Sequence, residues 1–232
     1  MHDVLSFTKS EIPAIKAFLG RFDEQLPPNQ YELVRCKVSG NTLILFESGK
    51  LVIQGKNTEP LKERILKELS KTTEEIILGI DETGRGENTG DFCIAGVLGK
   101  TGDLREVRDS KKTANINEKK KIVEQKALNA VVLCYSAETI DALRNEGVNL
   151  NQIEGQAIDW ISDFFEQNFP KPQKIIVDGG YLPVQNKKIE FLPRADDLEP
   201  VVSAASILAR AARLEGDTKT LRKTWKTKNK DE

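Results

Sequence analysis

The stretch Gly79-Ile80-Asp81-Glu82-Thr83-Gly84-Arg85-Gly86 constrains this chain most, because it sets two adjacent acids and a glycine-rich turn directly after the apolar run Ile76-Ile77-Leu78. A strand that ends in Asp-Glu delivers carboxylates to the edge of a sheet, where hard cations with oxygen ligands bind. Gly84-Arg85-Gly86 lets the backbone turn tightly, and its N–H groups and one guanidinium suit a phosphate or a sugar. A second run, Ile175-Ile176-Val177-Asp178-Gly179-Gly180, ends in the same way. Ala195-Asp196-Asp197 adds a third acidic position shortly before a helix that opens at Pro200. If the strands carrying Asp81 and Asp178 are neighbours, these carboxylates share one patch. Their repulsion, on the order of several kcal/mol in a partly buried site, is relieved by divalent cations. Taken singly, Asp196 and Asp197 read equally well as solvated turn residues or helix caps.

Composition narrows the chemistry. The only histidine is His2, so zinc-hydrolase and Ser-His-Asp readings find no residues, and carboxylates, lysines or arginines must act. Cys36, Cys93 and Cys134 each lie in an apolar run without a Cys-x-x-Cys pair, which predicts buried reduced thiols. A net charge of −1 gives no overall attraction to nucleic acid, so such a partner must be held by local patches. No apolar run approaches the roughly 20 residues that span a bilayer, and the acidic, proline-containing start does not read as a signal peptide. The expectation is a cytoplasmic monomer with no membrane partner.

The pattern of the chain changes near residue 72. Residues 8–20 carry apolar side chains at helical spacing, and Tyr31–Val38, Thr42–Phe46 and Lys50–Gln54 alternate like strands, with turns predicted at Gly40-Asn41 and Ser48-Gly49. A second helix is expected from Glu59 to Leu69, which gives a small sheet backed by helices. Strands are then predicted at Ile76–Asp81, Phe92–Leu98, Ala130–Tyr135, Lys174–Asp178 and Lys188–Leu192. A long amphipathic helix spans Leu150 to Phe165 and another runs from Pro200 to Ala211, whose Ala204-Ala205-Ser206 permits close packing on a sheet. Trp160 reads as a core residue of the long helix. The lysine-rich end from Asp217 onward reads as frayed, and Trp225 within it reads either as stacking on nucleic acid or as docked on the protein.

Four motifs, Gly79–Gly86, Asp109-Ser110-Lys111-Lys112, Val177-Asp178-Gly179 and Ser203–Arg210, resemble in order and spacing the signatures of type-2 and type-3 ribonucleases H. Ser48-Gly49-Lys50-Leu51-Val52-Ile53-Gln54-Gly55-Lys56 is similar to the TATA-box-binding-protein-like domain that type-3 enzymes carry and type-2 enzymes lack, and Gly147–Asn151 also follows the type-3 pattern. The resemblance implies an α/β fold, a ribonuclease H-like mixed sheet flanked by helices, with a small N-terminal α+β domain. Its domains would be a substrate-binding domain over residues 1–70, a linker over 71–75 and a catalytic domain over 76–232. Two positions look more like type 2: Asp196, where type 3 usually has Glu, and Gly84-Arg85-Gly86, where type 3 usually has Gly-Thr-Gly.

The resemblance implies an endonuclease that cuts the RNA strand of an RNA/DNA hybrid with two divalent ions, Mg2+ or Mn2+, leaving 5′-phosphate and 3′-hydroxyl ends. Asp81, Glu82, Asp178 and Asp196 match the family's catalytic, metal-binding acids. Thr83, Gly84, Arg85, Gly86, Lys111, Lys112 and Ser206 fall at its substrate-binding positions, with Lys50, Gln54 and Lys56 in the N-terminal domain. Lys119–Lys121, Lys187 and Lys188 add positive charge, or form a solvated face. Two alternatives share the same residues: a DNA nuclease or resolvase on this fold, and a non-catalytic hybrid-binding protein.

Overall fold

A computed structural model of the chain describes residues 2–7, 11–70, 75–109 and 115–225. It divides into two compact units, Met1–Glu74 and Glu75–Glu232. Lys111 and Lys112, and the linker residues 71–74, lie outside the described residues. Among the described residues, no helix is long and apolar enough to cross a membrane.

In the first unit, β1 (His2–Ser6), β2 (Glu24–Leu26), β3 (Glu32–Val38), β4 (Asn41–Phe46) and β5 (Lys50–Gln54) form one antiparallel sheet in the order β1-β5-β4-β3-β2. The pleat sends Leu43, Leu45, Leu51 and Ile53 to one side, where they pack with Ile15 and Leu19 of α1 (Ile12–Leu19) and Leu61 and Ile65 of α2 (Glu59–Ser70). Lys50 and Gln54 are exposed and fall on the opposite side of β5. The β3–β4 turn is made by Ser39 and Gly40, both with positive φ, one residue earlier than predicted. Two consecutive left-handed residues match the twist of a hairpin, and Asn41 is thereby free to open β4.

The second unit is built on a mixed sheet of β6 (Ile76–Thr83), β7 (Phe92–Lys100), β8 (Asn129–Tyr135), β9 (Lys174–Asp178) and β10 (Ile189–Leu192), in the order β10-β9-β6-β7-β8. β6 pairs with β7 antiparallel and with β9 parallel. Alternating side chains feed two cores. Ile77, Ala95, Val97 and Ile176 meet α3 (Thr101–Asp109), α4 (Ile116–Lys126) and α8 (Pro200–Glu215) on one face. Leu78, Ile80, Ile94 and Val177 meet α5 (Ala137–Asn145) and α6 (Leu150–Asn168) on the other. α8 lies so close to β6 that a Cβ on Gly79 would stand 2.6 Å from the Val201–Val202 backbone. Only glycine on the strand permits that approach.

Three expectations are corrected here. Cys93 and Cys134 are joined in a disulfide, not reduced: they are opposed partners on β7 and β8, with Cα atoms 4.1 Å apart, and Cys36 alone is a free, buried thiol among the three. Trp160 is 49% exposed, because α6 turns its buried stripe of Ile153, Ala157, Ile161 and Phe165 to the sheet and leaves Trp160 stacked on Phe164 at its border. The segment from Asp217 to Trp225 is not frayed. It folds back on the Asn88–Asp91 stretch, with backbone bonds from Gly90 to Thr220, Asp91 to Asp217 and Arg222 to Asn88.

Candidate active site

The pleat that separates the two cores roots the two adjacent acids on opposite faces of β6, although their carboxyls still reach each other at the strand end and share a hydrogen bond. Ile77, Gly79 and Asp81 share the α8 side of β6, while Leu78, Ile80 and Glu82 share the α6 side. Asp81 is accordingly buried, 6% exposed, and accepts a hydrogen bond from the Ser206 hydroxyl of α8 and one from the Glu82 N–H at 2.7 Å. Ser206 thus serves the carboxylate first. Glu82 faces Glu154 of α6 and feels its charge.

β9 brings the third acid alongside. Val177 is in register with Ile80, so Asp178, the last residue of β9, stands next to Asp81 and repels it. Its Oδ1 accepts from the Ala195 N–H at 2.5 Å, and the Asp196 N–H bonds it as well. Asp178 therefore caps the short helix α7 (Ala195–Leu198) and draws Asp196 against itself. α7 was not legible as a helix: it has four residues, and Arg194 enters it in a left-handed conformation with φ 62°. Asp197, exposed, pairs with Arg194 at 2.9 Å.

Burial raises all three strand acids. Desolvation moves Glu82 up to about 8, helped by the Asp81 and Glu154 charges, and Asp81 up to about 6, opposed in part by its hydrogen bonds. Asp178 is raised by burial and by Asp196 and Asp197. Among the described residues, no three acidic, thiol or imidazole side chains are arranged to hold one metal ion as they stand. The donor set nevertheless fits hard divalent cations. It is all carboxylate oxygen, and the groups that most destabilise the ionised forms of Asp81 and Glu82 are burial and other carboxylates, a debt that a cation between them removes.

A cleft of about 260 Å³ lies beside these acids, with Glu82, Asp178, Tyr181, Arg85, Asn151 and Glu154 in its lining. Arg85 does not hang free. Its Nε donates to Glu154 at 2.5 Å and its Nη2 to Asn151. Gly84, with φ +82°, is buried against Asp91 and Arg213, whereas Gly86 is exposed. Thr83 ends β6 half-buried.

Sequence reasoning missed the residues that hold this loop. Arg222, only 1% exposed, donates to the carbonyls of Gly84, Glu87 and Gly90, and Arg213 donates to those of Asp91 and Thr89 and pairs with Glu87. Among the lysines, Lys119 is buried, Lys120 pairs with Glu215 and Lys188 with Glu166, so these three are not a free basic patch. Lys50, Gln54 and Lys56 are exposed in the first unit.

A mixed sheet flanked by helices, with acids at the ends of adjacent parallel strands, defines a ribonuclease H-like protein. A family model described as Ribonuclease HII matches residues 78–231, and one described as a domain of unknown function, DUF3378, matches residues 2–75. The chain belongs to the ribonuclease HII family. Ribonuclease HII of Francisella philomiragia is 32% identical over 139 residues, which cover 60% of this chain and 72% of that protein. Ribonuclease HII of Methanosphaera stadtmanae is 33% identical over 152 residues, covering 59% and 70%. Among solved structures, Bst-RNase HIII in complex with Mn2+ superposes with a TM-score of 0.57 at 18% identity, over 93% of this chain and 82% of that one. The expected mixed α/β fold is borne out, as is a ribonuclease H enzyme.

Proposed function

We propose that the chain is a type-3 ribonuclease H that hydrolyses the RNA strand of an RNA/DNA hybrid, leaving 5′-phosphate and 3′-hydroxyl ends. One observation carries this reading: Asp81 and Asp178 stand side by side on parallel strands, and Asp178 caps the helix that holds Asp196. Divalent cations, Mg2+ or Mn2+, held by Asp81, Glu82, Asp178 and Asp196, would supply an activated water and offset the charge on the leaving 3′ oxygen. The rest of the work belongs to the chain. Ser206 holds the Asp81 carboxylate by a hydrogen bond from its hydroxyl. The Thr83–Gly86 backbone would meet the 2′-hydroxyl, the group by which a protein separates RNA from DNA, and Arg85 a neighbouring phosphate.

The first unit fits the same reading. Its exposed Lys50, Gln54 and Lys56 suit a surface that grips the hybrid backbone. Lys111 and Lys112 are proposed as phosphate contacts on the sequence motif alone.

The test is a cleavage assay with Mg2+ or Mn2+ on four substrates: a uniform RNA/DNA hybrid, a DNA duplex containing one ribonucleotide, an all-DNA duplex and a four-way junction. The hybrid is expected to be cut, with ligatable 5′-phosphate ends, and both all-DNA substrates ignored. Cutting of the junction with the hybrid left intact would favour the resolvase reading. Binding of the hybrid without divalent-dependent cutting would leave a non-catalytic binder.

A further inference from the structure

Arg85 is the one cation lining the cleft among the described residues, and the structure shows what holds it there. Its two anchors, Asn151 and Glu154, come from the first turns of α6, three residues apart and therefore on one face. That end of α6 is itself fixed by a capping box, in which the Asn149 side chain accepts from the Gln152 N–H and the Gln152 side chain accepts from the Asn149 N–H. Glu154 is 4% exposed, a depth at which a carboxylate stays only when a partner compensates it. The long Arg85 side chain is thereby held in one orientation beside Glu82 and Asp178 before any ligand arrives.

We propose that Glu154 is a positioning residue for substrate binding: it aims Arg85 at the sugar-phosphate backbone of the strand to be cut. The inference rests on the reading of Arg85 as a phosphate contact. An arginine already oriented loses less conformational freedom on binding, so the benefit falls on substrate affinity and not on the chemical step. Glutamine at position 154 keeps an oxygen for the Arg85 Nε, whereas leucine fills the space and offers none.

The test measures kcat and KM on an RNA/DNA hybrid for Glu154→Gln, Glu154→Leu, Arg85→Ala and the Arg85→Ala/Glu154→Leu pair, with thermal unfolding of each. Glu154→Leu and Arg85→Ala are each expected to raise KM about tenfold, the factor for one charge-assisted hydrogen bond, with kcat within about twofold. Glu154→Gln should stay within about threefold of the parent, and the double variant should be no worse than Arg85→Ala. The proposal is overturned if Glu154→Leu leaves KM unchanged while Arg85→Ala raises it, if the two effects simply multiply, or if glutamine and leucine act alike, which would assign the effect to the charge beside Glu82. A KM unaffected by Arg85→Ala would overturn the phosphate-contact reading itself, and this proposal with it.

Discussion

Asp81 and Glu82 are neighbours in sequence whose side chains start from opposite faces of one sheet. The strand pleat gives Asp81 to α8 and Glu82 to α6, and their place at the end of the central strand lets the two carboxyls keep contact with each other. Folding buries them against their preference, which has a measurable consequence. Both carboxyls titrate higher in the folded protein than in the unfolded chain, so the folded state binds their protons more tightly. Their contribution is fully present below the unfolded carboxylate range, near pH 4, and is lost as pH rises through about 6 and about 8. In EDTA, the metal-free protein should therefore unfold at a lower temperature at pH 8 than at pH 5.5, and Asp81→Asn should reduce that difference. A larger difference in the variant would contradict this account, because it would mean that folding stabilises Asp81 as an ion. Thiol titration offers a second check at this scale. The unreduced, denatured chain should show one free thiol, Cys36, and three would contradict the Cys93–Cys134 bond.

At the scale of elements, the loop that follows β6 is held from two directions. α6 grips the Arg85 side chain, while the C-terminal strap grips the loop backbone through Arg222, whose Nη1 and Nε take the carbonyls of Gly84, Glu87 and Gly90. Arg222→Ala would leave those carbonyls short of a buried donor and is expected to cost about 3 kcal/mol or more of stability, read from denaturant unfolding. A loss below about 1 kcal/mol would show that water replaces the guanidinium without penalty. The strap also shows where sequence reading stops. Strands whose alternation or apolar run is continuous, such as Lys50–Gln54 and Lys174–Asp178, were legible to the residue. Asp217–Trp225 was not, because it has no periodicity: its order comes from Arg222 entering a ring of carbonyls more than a hundred residues upstream. The Cys93–Cys134 pairing was hidden for the same reason, since it depends on the register of β7 against β8. The acids at the strand ends could be read, and the Glu154 anchor could not, because a glutamate on an amphipathic helix looks like any solvated one.

At the scale of the molecule, the chain couples a ribonuclease H-like unit to a smaller antiparallel unit, each with its own core. If the smaller unit grips the hybrid backbone, replacing Lys50, Gln54 and Lys56 together by alanine should raise KM several-fold with kcat little changed and thermal stability preserved, because all three are exposed. The variant should also lose affinity less steeply as salt is added, since fewer phosphate contacts release fewer counterions. An unchanged KM and salt slope would assign this surface another role. The central claim, that acids from two parallel strands and a short capped helix act together, is tested most directly by Asp178→Asn. Asparagine keeps an oxygen to cap α7 while removing the charge, so the fold should survive by thermal unfolding and circular dichroism. Hydrolysis of an RNA/DNA hybrid in saturating Mg2+ or Mn2+ should fall to background, and near-normal turnover in the folded variant would contradict the account.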